Sequence, residues 1–369
     1  MRIEPKSTPC ARSPHEQLTR FVRSLATLFL VVGGIGCASS PRGSTEPTLP
    51  PTASFLRTTS IPGGGRELQI AIRRYAPTNR LGPQIWLVGV SHVGDATYYQ
   101  ALQKLLDLQD TVLFEGVRPS PAPPSPVRSS RNPPPAPWRP DREALNHSLQ
   151  GTLARSLGLV FQLTAIDYTR PHFRNSDLTR VDLERLIEQN SEPTSDPGSP
   201  KSPDDEASAS QFALLMQALD EGSWLNAVAK FFLNFIESSP QMRSLARLAL
   251  LEMLGAIGGD FESLARVDPS LNDLLKVLVD ARNQRVLDDL RALLPTHSRR
   301  RQIAVFYGAA HMKDFEARLA AQLGYLPREE RWLTAFRVDF QQSGIGTSEQ
   351  QMIRSLVDWQ LQNLRPPPP

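Results

Sequence analysis

Two short segments of the chain, Gly89-Val-Ser-His92 and Gly308-Ala-Ala-His311, share a Gly-x-x-His spacing, and each is followed three residues later by an aspartate, Asp95 and Asp314. A single imidazole just after a strand often does no more than bond a nearby carbonyl. The same placement twice points instead to a shared chemical task. Between the two in sequence, Glu115 closes the apolar run Thr111-Val-Leu-Phe114, where a carboxylate is unfavourable unless something pairs with it. Two imidazoles and a carboxylate form a common ligand set for Zn, Mn, Co or Fe, with positions left open for water. In such a set Glu115 is either the third ligand or the general base. Asp95 and Asp314 read as helix N-caps, with metal ligation as the less favoured role.

The elements that must carry these residues can be read from the apolar pattern. Residues 85–90 and 303–306 are continuous apolar runs, the signature of inner parallel strands covered on both faces. The first is followed by a helical stretch from Asp95, with Leu102, Leu105 and Leu106 on one face, and then by the run ending at Glu115. The second leads into a helix over 314–323 closed by Gly324. The expected fold is therefore α/β: a mixed, mainly parallel sheet with two β-(Gly-x-x-His)-α units. Ligands of open parallel sheets bind beyond the carboxyl ends of the strands, where both histidines and Glu115 fall. The small Gly89 and Gly308 would allow a backbone or a ligand to approach closely.

Elsewhere a helix is expected over 141–157, the apolar segment 159–166 reads as a strand leading to Asp167 and Arg170, which could border the same cleft, and Asp177 opens another helix. Residues 211–296 are helical by periodicity, with charges such as Lys230, Arg243 and Glu252 breaking every long apolar stretch, so they read as an inserted helical subdomain rather than a membrane bundle. Residues 119–140 hold ten prolines, and residues 191–209 are rich in Ser, Pro and Asp. Both read as disordered insertions without a packed core. Residues 341–369 are expected to form a C-terminal helix and tail.

The N-terminus has the layout of a secretory signal: scattered Arg and Lys, then an uncharged run over 25–35, then Gly36-Cys37-Ala38. Residues 1–36 read as the signal peptide and Cys37 as the lipidated first residue of the exported protein, anchored to the cell envelope by a flexible linker over 37–65. Losing residues 1–36 removes five basic and two acidic residues, which takes the formal charge from +3 to 0. A neutral chain without a basic stripe excludes nucleic acid as the expected partner. Cys10 leaves with the leader, so no intramolecular disulfide is expected. No Gly-x-Ser-x-Gly elbow, Walker loop or dinucleotide glycine pattern occurs. Ser91 precedes His92 directly, and neighbours on a strand point to opposite faces, which argues against a Ser-His pair.

Four segments in order, Leu87-Val-Gly-Val-Ser-His-Val-Gly-Asp95, Val112-Leu-Phe-Glu-Gly116, Ala281-Arg-Asn283 and Phe306-Tyr-Gly-Ala-Ala-His311 with Gly324-Tyr325, resemble the TraB/PrgY/GumN family, which is itself similar to the TIKI metalloproteases. The resemblance spans roughly residues 66–340. It implies an α/β fold and proteolysis or ligand sequestration as the function. It further implies that His92, His311 and Glu115 occupy metal or catalytic positions and that Arg282 is the family's helical arginine, with Arg170 a looser match. The expectation is a metal-dependent hydrolase acting on a peptide or protein substrate, in which Arg282 or Arg170 would steady an oxyanion or a substrate carboxylate. The alternative is a binding lipoprotein that captures a peptide or haem at the same site.

Overall fold

A strand made only of apolar residues needs cover on both faces, and β3 (Gln84–Val90) and β8 (Gln302–Gly308) have it: six consecutive residues of each are buried. The computed structural model that shows this describes residues 54–79, 81–116, 148–179, 181–183, 185–186, 236, 239–257, 269–296 and 301–363. The leader, Cys37, both proline-rich insertions and the start of the helical stretch at 211 lie outside the described residues.

β3 and β8 pair in parallel, β8 also pairs in parallel with β5 (Thr111–Phe114), and β5 with β7 (Phe173–Asn175). β2 (Gly65–Pro77) forms an antiparallel margin with β3, β1 (Leu56–Ser60) and the long β9 (Tyr325–Asp339). The sheet is mixed with a parallel centre, and the fold is α/β as expected. A separate two-residue ladder joins β4 (Val93–Gly94) to β6 (Val160–Phe161).

Strand alternation sends successive side chains to opposite faces, so the sheet feeds two cores. On one face Val88, Val112 and Phe306 meet α1 (Ala96–Leu106) and α4 (Pro240–Ile257) through residues such as Tyr99, Leu102 and Leu251. On the other, Leu87, Leu113 and Val305 meet Val286 and Leu290 of α5 (Pro269–Leu293) and Phe315 and Leu319 of α6 (Met312–Leu323). Gly324 ends α6 with φ +68, a left-handed C-cap that suits glycine. The remaining helices are α2 (Leu149–Ser156), the single turns α3 (Gln162–Ala165) and α7 (Phe340–Ser343), and α8 (Thr347–Asn363), the expected C-terminal helix.

Three expectations need correction, and one strand was not expected. The tether over 37–65 stops short of Arg66, because Phe55 is buried with the Arg73 guanidinium 4.0 Å above its ring, and β1 follows at once. The apolar segment 159–166 is not a strand: after two bridged residues it turns into α3, closed by the Ile166 N–H donating to the Gln162 carbonyl. The helical stretch is not a separate subdomain in its described parts, for α4 and α5 lie on opposite faces of the sheet and supply both cores. Finally, β9 was not anticipated. Its charged run Arg328-Glu-Glu-Arg331 hides a strand whose ion pairs, Arg74 to Glu329 and Arg73 to Glu330, reach across to β2.

Candidate functional site

The sheet order sets β8 between β3 and β5, so the three chain ends that carry His92, His311 and Glu115 emerge side by side at one edge. The ladder pairs Gly89 with Tyr307 and Val90 with Gly308, which offsets the two Gly-x-x-His segments by one residue. The chain leaves β3 through the short β4 before α1 begins, whereas β8 passes directly through a 3-10 turn (Ala309–His311) into α6.

The two glycines serve different ends. A Cβ on Gly89 would come within 3.0 Å of the Ala71 carbonyl oxygen and of Ile70 Cγ2, so Gly89 lets β2 pack against β3. A Cβ on Gly308 would stand 3.4 Å from Glu115 Oε2, 3.5 Å from His92 Nε2 and 3.8 Å from His311 Cδ2. The gap beside Gly308 is therefore the point on which all three groups converge.

Each group is held from behind. His92 Nδ1 lies 2.8 Å from Gln162 Oε1, and His311 Nδ1 lies 2.7 Å from Asn283 Oδ1. His311 Nε2 is 3.8 Å from Glu115 Oε1. Glu115 accepts 2.7 Å bonds from Arg282 Nη2 at Oε1 and from the Gly308 N–H at Oε2. Arg282 also grips Asp177, at 2.9 Å from Nε and 2.7 Å from Nη2, and Asp177 accepts the Gly116 N–H. Asp177 is fully buried, while Glu115 and Arg282 keep a small exposed edge.

Protonation follows from these surroundings. Burial pushes the His311 imidazole down to about 4, against the pull of Glu115, so it is neutral at pH 7. Burial works against ionisation of Glu115 too, but the Arg282 guanidinium and the Gly308 N–H hold its carboxyl well below the usual range. The site thus offers neutral imidazole and a permanently ionised carboxylate.

That donor set fits a divalent ion chemically, since metal-bound histidines commonly have their second ring nitrogen tied to an oxygen acceptor. Among the described residues no group of three or more His, Cys, Asp and Glu side chains is itself arranged to hold a metal ion. Both oxygens of Glu115 already accept one hydrogen bond. Two imidazoles are the ready donors, with Glu115 beside them.

No family model, curated protein or solved structure matches this chain.

Other expected residues fall elsewhere. Arg170 does not join the site: it makes a two-pronged pair with Asp107 at 3.2 Å, near the start of β5 and so at the opposite edge of the sheet, with 44% of its side chain exposed. Asp167 caps the adjacent turn by accepting from Thr169. Asp95 and Asp314 do not cap with their side chains. Asp95 pairs with Arg247 at 2.9 Å, and Asp314 lies inside the first turn of α6, where it accepts from Asn283 and Arg318. Ser91 turns its hydroxyl to the Val93 carbonyl, away from any imidazole. Asp177 and Gln162 were missed. A lone amide in the apolar run 159–166 was the available signal, since a buried polar group must find a partner.

Proposed function

We propose that this chain is a metal-dependent hydrolase acting on peptide bonds, with a divalent ion held by Nε2 of His92 and His311 and by Glu115. The observation that carries the reading is the convergence of these three groups on the gap beside Gly308. The protonation of His311 and Glu115 points the same way. A general base works best with a pKa near the operating pH, and Glu115 lies far below it, so the carboxylate suits a ligand or a fixed anion better than a proton carrier. This favours the third-ligand role over the base that the sequence left open. The resemblance of four motifs to the TraB/PrgY/GumN family implies proteolysis or ligand sequestration, the first of which is the proposed activity.

A bound ion would lower the pKa of its water and polarise the scissile carbonyl. The chain's own residues do the rest. The neutral His311 imidazole gives a lone pair, Arg282 keeps Glu115 ionised, and the same guanidinium would set positive charge beside a forming oxyanion.

The test is metal content of the purified mature protein after incubation with Zn, Mn, Co or Fe, followed by turnover of a peptide library. His92→Ala and His311→Ala should each lower occupancy sharply, and the double variant should lower it little further, because one site fails only once. Glu115→Gln should lose both ion and turnover; retained ion with lost turnover would return Glu115 to the role of base. Gly308→Ala should fold, since the added methyl meets only ordinary contacts, yet fill the gap and abolish binding. A wild type that binds none of the four ions overturns the proposal. One that binds an ion and peptide without releasing product is a capture protein instead.

We also read the chain as exported and lipid-anchored through Cys37, on the strength of the apolar run that precedes it. No helix among the described residues is long and apolar enough to cross a membrane. Cys37→Ser should move the protein from the membrane to the soluble exported fraction. A wild type already soluble and starting at Ser39 would refute the anchor.

A further inference from the structure

Hydrogen bonds behind the two imidazoles constrain where each ring proton sits. Asn283 is fully buried, and its Nδ2 donates at 2.7 Å to Asp314, whose carboxylate also accepts from Arg318. A carboxylate engaged with a guanidinium is an acceptor, so the Asn283 amide must turn its nitrogen toward Asp314 and its oxygen toward His311. An amide oxygen can only accept. The His311 Nδ1 at 2.7 Å must therefore carry the ring proton, and Nε2 is left with the lone pair.

The other imidazole also faces an amide oxygen, on an unrelated element, with the Tyr168 hydroxyl, a group able to donate or accept, on the far side of that amide. Gln162, 1% exposed, donates from Nε2 to the Tyr168 hydroxyl at 2.9 Å and turns its oxygen to His92 Nδ1 at 2.8 Å. Its backbone N–H donates to the His92 carbonyl at 2.9 Å, so the amide is tied to the residue it orients at both ends. Tyr168 is itself wedged against Phe114, Phe173 and Phe306.

We propose that Gln162 and Asn283 are positioning residues that fix both histidines as Nδ1–H tautomers, so that both Nε2 lone pairs are available at the gap beside Gly308. This deepens the hydrolase reading, on which its purpose rests, but the tautomers themselves exist without any ion. Free imidazole prefers the opposite, Nε2–H tautomer, and a histidine in that form offers the gap a proton rather than a lone pair. Two amides on separate elements, α3 and α5, thus perform one task.

The experiment is imidazole nitrogen–proton correlation NMR on the full mature chain, 15N-labelled and treated with chelator, at neutral pH. The wild type should show protonated Nδ1 and unprotonated Nε2 at both His92 and His311. Gln162→Leu should shift His92 toward the Nε2–H form and leave His311 unchanged, while Gln162→Glu, which keeps an oxygen acceptor, should restore the wild-type pattern. A second readout uses cobalt alone as the probe: Gln162→Leu should weaken binding by about 10–100-fold and Gln162→Glu by much less. Should either histidine of the wild type carry its proton on Nε2, or Gln162→Leu leave His92 unchanged, the assignment is overturned. A wild type with both tautomers in place that ignores cobalt would overturn the hydrolase reading and leave this one standing.

Discussion

Arg282→Met should destabilise the protein by about 3 kcal/mol or more in urea denaturation, because it strips a guanidinium from one fully buried carboxylate, Asp177, and one nearly buried, Glu115. Arg282 bonds Glu115 once and Asp177 twice, and the Asp177 side chain has no exposure at all. The methionine keeps most of the stem's packing, so the loss reports charge rather than volume. The double change Arg282→Met with Asp177→Asn should recover a substantial part of the loss, by about 1–3 kcal/mol of coupling, since the asparagine no longer brings a charge that lacks its cation. Strict additivity of the two single effects would show that the cluster is not coupled in this way.

Acid should weaken the fold over a window set by His311. Its folded pKa, pushed down to about 4 by burial, lies below the ordinary histidine value near 6.5. On acidification the unfolded chain therefore takes up the proton first. Stability is complete above about pH 6.5 and falls as the pH drops toward 4, by roughly 3 kcal/mol over the whole span. Glu115 adds to this at lower pH: its folded pKa is depressed, so its contribution is present above the ordinary glutamate range and is lost as the pH falls below it. Denaturation of wild type and His311→Gln at pH 7.5, 5.5 and 4.5 separates the terms. The wild type should lose about 2–3 kcal/mol more than the variant between the first and last of these. Parallel losses in the two proteins would show that His311 is not a buried neutral imidazole.

How legible this arrangement was in the sequence depends on how local each cause is. β3 and β8 could be read because burial on both faces demands an unbroken apolar run, and Gly-x-x-His repeats at their ends whatever lies between. β9 could not, since its charges pair with partners about 250 residues away, Arg73 and Arg74, and a charged edge strand loses the alternation that identifies one. Asp177 looked like a helix opener because its type and its place before Leu178 are those of a cap. Its true partner, Arg282, lies 105 residues further on. Arg170 failed in the opposite sense: a strand-end arginine has two sheet edges to choose between, and only the parallel pairing of β5 with β7 assigns it to the far one. Gln162 was hidden by its apolar neighbours, although they are what make an amide there conspicuous.

The site draws on α5, a helix that enters the chain between the two histidine-bearing strands, and this has a kinetic consequence. The bonds that close the cluster span 167 residues from Glu115 to Arg282 and 193 from Glu115 to Gly308. Contacts of such long separation are slow to form, because the loop entropy is lost before the contact rewards it. Arg282 must be made before either carboxylate meets its cation, and Gly308 before Glu115 finds its backbone donor, so the first two hundred residues emerge with Glu115 and Asp177 still lacking these partners. The cluster should be among the last parts of the molecule to assemble, and whatever binds beside Gly308 would encounter only finished chains.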